Sequence, residues 1–336
     1  MFEKILVCLD GSPLAEQILP YAAAEGLYFH SKLILIRVIT TGITIAPPGW
    51  AVGPGYVLPT PGPLADGYVS EELEEIKREF DEAGAYLDNV AEPLLARGLD
   101  VEIVVAQGEA GEAIVSYADT SKIGLITIAS CGRSALGRAI FGTTADYVLK
   151  NSGLPILLIR PQRVAAPPPE DERPFRKVLV CLDGSRLAEQ ILLYASEQAS
   201  RFNSEVVLLR VIPEPFIISP GIPGSGGGPV LTPGAEETIK REDIEARAYL
   251  EEKSKELLRK SRLAVSYVTI QGTPGEVIVD YASSNEADLI AMATHGRGGL
   301  GRAIFGSVAE YVLRESGLPI LLIRPRETNK VSRRRK

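Results

Sequence analysis

Apolar positions along the chain fall into short unbroken runs, separated by longer stretches where they recur at helical spacing. The runs are Ile5–Leu9, Leu33–Ile39, Val101–Ala106, Leu125–Ala129 and Ile156–Ile159, all rich in Val, Ile and Leu. Without a polar alternation they predict strands buried on both faces. Pro13–Phe29 follows Ser12, a natural N-cap, with proline at the first helical position. Ser70–Arg97 is strongly charged and stops before Gly98; Glu109–Ser121 and Thr143–Asn151 are shorter, and Gly153 follows the last. Strand and helix thus alternate four times before a closing strand. That order predicts a parallel sheet covered by helices on both faces.

The pattern then repeats. KILVCLDGS at Lys4–Ser12 returns as KVLVCLDGS at Lys177–Ser185, and LAEQIL follows at Leu14 and at Leu187. GRAIFGTTADYVLKNSGLPILLIRP at Gly137–Pro161 returns as GRAIFGSVAEYVLRESGLPILLIRP at Gly301–Pro325. The second set of strand runs is Val178–Leu182, Val206–Ile212, Val265–Ile270, Leu289–Ala293 and Ile320–Ile323. A repeat of this size is a whole domain, not a solenoid unit. The chain therefore reads as domain 1 over 1–161, a Pro-rich linker over 162–174, domain 2 over 175–326 and a basic tail over 327–336. Two segments break the alternation: Thr41–Gly67 and Pro213–Gly234 are long and rich in Pro and Gly. Loops of that length are lids, binding loops or disordered surface, and Trp50, Tyr56 and Phe216 are the side chains in them able to pack on something.

Composition narrows the class. The 336 residues are 45% apolar and 24% charged, as in a globular protein of about two domains. A net charge of −7 argues against a general nucleic-acid binder, which needs a basic face. No apolar run reaches the ~18 residues of a membrane span. Met1–Lys4 leads straight into a strand, without the sections of a signal peptide. Of the three cysteines, Cys8 and Cys181 sit inside strand runs, as small core hydrophobes do, and no CxxC spacing occurs. These features together predict a cytoplasmic, reducing location.

Candidate chemistry lies where strands end. Asp10-Gly11-Ser12 and Asp183-Gly184-Ser185 follow the first strand of each copy. An aspartate there can accept hydrogen bonds from ribose hydroxyls, or cap the following helix. After the fourth strand come Ala129-Ser-Cys-Gly132, nine residues, then Gly142-Thr143; the other copy has Ala293-Thr-His-Gly296, nine residues, then Gly306-Ser307. Glycines let backbone amides approach an anion, and a helix starting after Gly142 or Gly306 offers N–H groups to it. Thr143 and Ser307 add hydroxyls, and Arg133 and Arg297 add charge. The arrangement suits a phosphate, although glycines also end helices and loosen loops. The chain has no G-x-x-x-x-G-K-[ST] loop, no G-x-G-x-x-G turn after the first strand, and no carboxylate pair beside the glycine loop. There are only two histidines, His30 and His295. Cys131 stands where the other copy has His295, so a catalytic histidine would serve one copy only.

The strand-borne VCLDGS, the G-x9-G-[ST] loop and the closing GLPILLIRP resemble the universal stress protein family, over both copies. The resemblance implies two tandem doubly wound five-stranded parallel sheets, Rossmann-like and akin to the adenine nucleotide alpha hydrolases, each of order 3-2-1-4-5. It implies ATP or a related adenine nucleotide, with Mg2+, as ligand through the motif G-x2-G-x9-G-[ST], in which Ala129 and Ala293 replace the first glycine. By position, Asp10 and Asp183 would hold the ribose, and Val38 and Val211 would present backbone groups to adenine. Ala129, Gly132, Arg133, Gly142, Thr143 and Thr144 would form one phosphate loop; Ala293, Gly296, Arg297, Gly306, Ser307 and Val308 would form the other. The implied role is a stress-response sensor or adaptor with a protein partner. The alternatives are a nucleotide-free interaction module, which the lost glycine favours, and a slow ATPase, which the missing carboxylates disfavour. Family pairing through last strands implies an intrachain pseudo-dimer through Ile156–Ile159 and Ile320–Ile323, and a homodimer beyond it.

Overall fold

The structure, a computed structural model, describes residues 1–40, 69–130, 142–161, 173–213, 235–260, 263–294 and 306–324. The chain divides into two units, Met1–Pro174 and Phe175–Lys336. In the first, β1 (Lys4–Leu9), α1 (Pro13–Glu16), α2 (Leu19–Phe29), β2 (Lys32–Ile39), α3 (Val69–Ala96), β3 (Asp100–Gln107), α4 (Ala110–Thr120), β4 (Leu125–Ala129), α5 (Thr143–Asn151) and β5 (Ile156–Ile159) follow in turn. The strands are parallel in the order β3-β2-β1-β4-β5. Ile5 of β1 stands beside Leu33 of β2 on one side and Leu125 of β4 on the other. Strand order therefore reverses between β1 and β4, the place where such sheets open a crevice at their carboxyl ends.

The second unit repeats this with β6 (Lys177–Cys181), a 3-10 turn at Ala188–Gln190, α6 (Ile191–Phe202), β7 (Glu205–Ile212), α7 (Ala235–Lys260), β8 (Ala264–Gln271), α8 (Pro274–Ser284), β9 (Leu289–Ala293), α9 (Ser307–Glu315) and β10 (Ile320–Ile323). Its order is β8-β7-β6-β9-β10, again parallel. No described helix is long and apolar enough to cross a membrane.

Central strands are buried as their unbroken apolar runs predict: Ile5, Leu6, Val7 and Leu33–Leu35 are fully covered. Burying each of those larger side chains is worth about 1.5–3 kcal/mol. Helix α3 turns Ile76, Phe80, Ala83, Leu87, Ala91 and Leu94 inward at three- and four-residue steps, with its charges outward. At the start of each unit a ring pair closes the core, Phe2 on Phe29 at 4.8 Å and Phe175 on Phe202 at 5.2 Å.

Two expectations need correcting. β3 and β8 are not buried on both faces; most of their residues are partly exposed, because each is the outer strand beside β2 or β7. The single helix predicted over Pro13–Phe29 is two, broken at Gln17–Ile18. Pro20 has no N–H to donate back to Glu16 and its ring crowds that carbonyl. The second unit has Leu193 at that place and still opens with a 3-10 turn before α6, so the tight turn belongs to the segment and the proline separates it further.

Candidate functional site

Each first strand ends in a turn held by its own aspartate. Asp10 Oδ1 accepts the Ser12 N–H at 2.9 Å, and Asp183 Oδ1 accepts the Ser185 N–H at 2.8 Å. The serines do the capping: Ser12 Oγ accepts from the Ala15 N–H at 3.2 Å and Ser185 Oγ from the Ala188 N–H at 3.1 Å. Both glycines between them are left-handed, with φ of +82° at Gly11 and +86° at Gly184, which is why neither carries a side chain.

The fourth strand and the helix after it are tied at their near ends. Ser130 donates its N–H to Ile159 O at 2.8 Å, and Gly142 donates its N–H to Ser130 O at 2.7 Å. Gly142 and Gly306 are extended N-caps that bring no side chain to the first turns of α5 and α9. Those turns keep N–H groups and a positive dipole end pointing past the strand ends. Gly132, Arg133, Gly296 and Arg297, with Cys131 and His295, lie outside the described residues, as do Trp50, Tyr56, Phe216, nearly all of the linker and the basic tail.

In the second unit these ends enclose a cavity of about 620 Å³, well within the range of small-molecule sites. Asp183, Val211, Ala293, Gly306, Ser307 and Val308 all line it, so every described candidate of that unit meets there. Arg210 and Glu242 bring charge to the wall, and Ile278 and Met292 make it apolar elsewhere. Cys181 also borders it, but burial pushes that thiol up to about 12, which leaves it a poor nucleophile. In the first unit Asp10, Val38, Ala129, Gly142, Thr143 and Thr144 hold the same places, at the ends of β1, β2 and β4 and the start of α5. Among the described residues no group of three or more His, Cys, Asp or Glu could hold a metal ion.

Sequence reading missed a cation beside each turn. The Arg37 guanidinium lies over the Tyr86 ring, 5.1 Å from its centre, and Tyr86 donates its hydroxyl to Glu16 Oε1 at 3.0 Å. Burial, then the Glu16 charge and hydrogen bond, push the Tyr86 hydroxyl above its ordinary range. Arg210 lies likewise over Tyr249 at 5.4 Å, and burial with the Glu189 charge raises that hydroxyl too. Here Lys253 joins in, 5.8 Å from the ring centre and 3.1 Å from Glu189 Oε2. The available signal was the recurrence of Arg-Val at 37 and 210 and of Ala-Tyr-Leu at 85 and 248. These pairs belong to no nucleotide motif and yet match between the copies.

Comparison with known proteins agrees across the chain. A model described as the universal stress protein family matches residues 51–160 and 174–324. A universal stress protein of Methanocaldococcus jannaschii is 30% identical over 154 residues, 46% of this chain and 84% of that protein. One from Mycolicibacterium smegmatis is 24% identical over 325 residues, 96% of this chain and 97% of its own length. The crystal structure of a universal stress protein from Archaeoglobus fulgidus has the same fold, with a TM-score of 0.62 at 19% identity, covering 96% of this chain and 99% of that one.

Proposed function

The chain belongs to the universal stress protein family, and on that premise we propose that each unit binds an adenine nucleotide, ATP, and that the chain acts in the cytoplasm as a stress-response sensor or adaptor. The observation that carries this is the second unit's cavity, where Asp183, Val211, Gly306 and Ser307 converge. Its donors fit the ligand part by part. The glycine-capped start of α9 and the Ser307 hydroxyl suit phosphate oxygens. The Asp183 carboxylate suits ribose hydroxyls, and the apolar wall suits a base. With no carboxylate cluster among the described residues, Mg2+ would arrive on the phosphates. The same construction in the first unit gives two sites per chain. Slow hydrolysis is the most this donor set supports.

A second reading has one observation behind it. Ala293, in place of the motif's first glycine, borders the cavity, and a methyl there favours a nucleotide-free interaction module.

Thermal stability and calorimetry with ATP, ADP, AMP and GTP, each with Mg2+, decide between them. A ligand at about 100 times its Kd stabilises the folded state by ~2.7 kcal/mol. Stabilisation by adenine nucleotides that is lost in Gly142→Val/Gly306→Val supports the binding reading. No response to any nucleotide, with none released from gently denatured purified protein, leaves the interaction module.

A further inference from the structure

We infer that Arg210, and Arg37 in the first unit, are anion-binding residues of the two sites, each contributing charge-assisted hydrogen bonds to the ligand's phosphates. The inference rests on the nucleotide reading above and adds to it residues that lie outside the glycine motif.

The geometry begins with how the guanidinium is held. A Cβ built on Gly184 would stand 3.0 Å from Arg210 Cζ, 3.0 Å from Nη1 and 3.1 Å from Nη2. Near-equal distances to a planar group's centre and two of its ends mean that the glycine faces the plane, not the edge. For Gly11 and Arg37 the values are 3.1 Å to Cζ, 3.2 Å to Nη2 and 3.4 Å to Nη1, the same face-on approach. The tyrosine ring holds the group by cation–π attraction, another contact that consumes no N–H. Both contacts fix the fork while leaving its five donors unspent.

Those donors have no other use among the described residues. Neither Arg37 nor Arg210 makes a hydrogen bond or an ion pair there. This is unusual for a half-buried arginine, since carboxylates are close by. Glu16 takes the Tyr86 hydroxyl and Glu189 takes Lys253. Arg210 instead borders the cavity that also holds Gly306 and Ser307. An immobilised fork whose donors have no partner among the described residues, on a concave wall, is suited to bidentate contact with phosphate oxygens. It also supplies positive charge from the rigid sheet, independently of the loops outside the described residues.

The test compares two replacements in the full-length chain. Arg37→Gln/Arg210→Gln keeps a planar group able to lie against the glycine and the ring but removes the charge. Arg37→Lys/Arg210→Lys keeps the charge but gives up the plane. An anion-binding role predicts that the Gln pair weakens ATP binding by about 10- to 100-fold, with the Lys pair clearly tighter than the Gln pair. ATP affinity unchanged in the Gln pair overturns the inference. So does a Lys pair as weak as the Gln pair or weaker, because stacking and turn support would then be the arginines' whole role. Should the unaltered chain bind no nucleotide, the proposed function fails by itself. The arginines are then read with inorganic triphosphate: binding lost in the Gln pair upholds them as anion ligands, and no binding by the unaltered chain overturns that as well. Denaturation midpoints of both pairs establish that each variant is folded.

Discussion

Lys253 Nζ sits 3.1 Å from Glu189 Oε2 in the second unit, and the first unit has Val90 at the matching place. The lysine side chain is only 14% exposed. Burial works against its charge, but the hydrogen bond and charge of Glu189, with Glu256 behind, hold its pKa above the ordinary lysine value. Lys253→Met should destabilise the chain by about 1–2 kcal/mol at neutral pH. Because the folded value is the higher one, the stabilisation is complete below the unfolded lysine pKa of ~10.4 and is lost as pH rises through the folded value. Urea denaturation from neutral to strongly alkaline pH should show the two proteins well separated at first and converging at the alkaline end. A constant gap would mean that packing, not charge, carries the effect.

Gly11 and Gly98 provide an internal comparison. Both are left-handed, with φ of +82° and +80°, but a Cβ on Gly98 meets nothing within 4 Å while one on Gly11 meets the Arg37 guanidinium. Alanine at either should cost about 1–2 kcal/mol for the backbone alone. Gly11→Ala should cost up to about 1 kcal/mol more, since the guanidinium must shift by a few tenths of an ångström against the Tyr86 ring. Arg37→Ala in the same chain should erase that excess, a coupling that a double-mutant cycle reads directly.

That comparison also marks what was legible beforehand. The strands announced themselves through runs such as Leu125–Ala129, and the turn glycines through their repeated Asp-Gly-Ser, because both are local consequences of burial and φ. The convergence of Asp183 with Gly306 and Ser307 followed from strand order once the family resemblance supplied it. The Arg37–Tyr86 pair was not legible: it joins the end of β2 to the middle of α3, and only tertiary packing fixes where a helix lies along a strand. The break at Gln17–Ile18 was missed for a different reason. Pro13 and Pro20 both suit a helix start, and the amphipathic pattern runs on through the junction.

Cys8 and Cys181 should resist alkylation in the native state. Both are buried, and burial raises both thiols, Cys181 to about 12. At pH 8 the Cys181 thiol is therefore held in its neutral, unreactive form. Peptide mass mapping after iodoacetamide should find both unmodified in the folded protein and fully modified in denaturant. Rapid native labelling of either would contradict the burial.

Gly275 brings α8 close against α9. A Cβ there would stand 2.8 Å from Tyr311 Cδ1 and 3.0 Å from Tyr311 Cβ, so a rotamer change alone does not make room. Gly275→Ala should cost about 1–3 kcal/mol by overpacking, measurable as a lowered denaturation midpoint. An unchanged midpoint would show that the two helices separate easily.

The hydrogen bond from Gly142 N–H to Ser130 O has an evolutionary consequence. It joins the two ends of residues 131–141, so the start of α5 is anchored to the end of β4 whatever those residues are. A segment anchored in this way behaves as an exchangeable insert: selection can rewrite it without disturbing the scaffold on either side. Between the copies the segment differs at three of its eleven positions, with Cys131 and Ser134-Ala135 against His295 and Gly298-Gly299, and the helices that follow differ at five of nine. In the first unit, then, the insert and the helix behind it are free to change separately, because one backbone contact and not the intervening side chains sets where that helix begins.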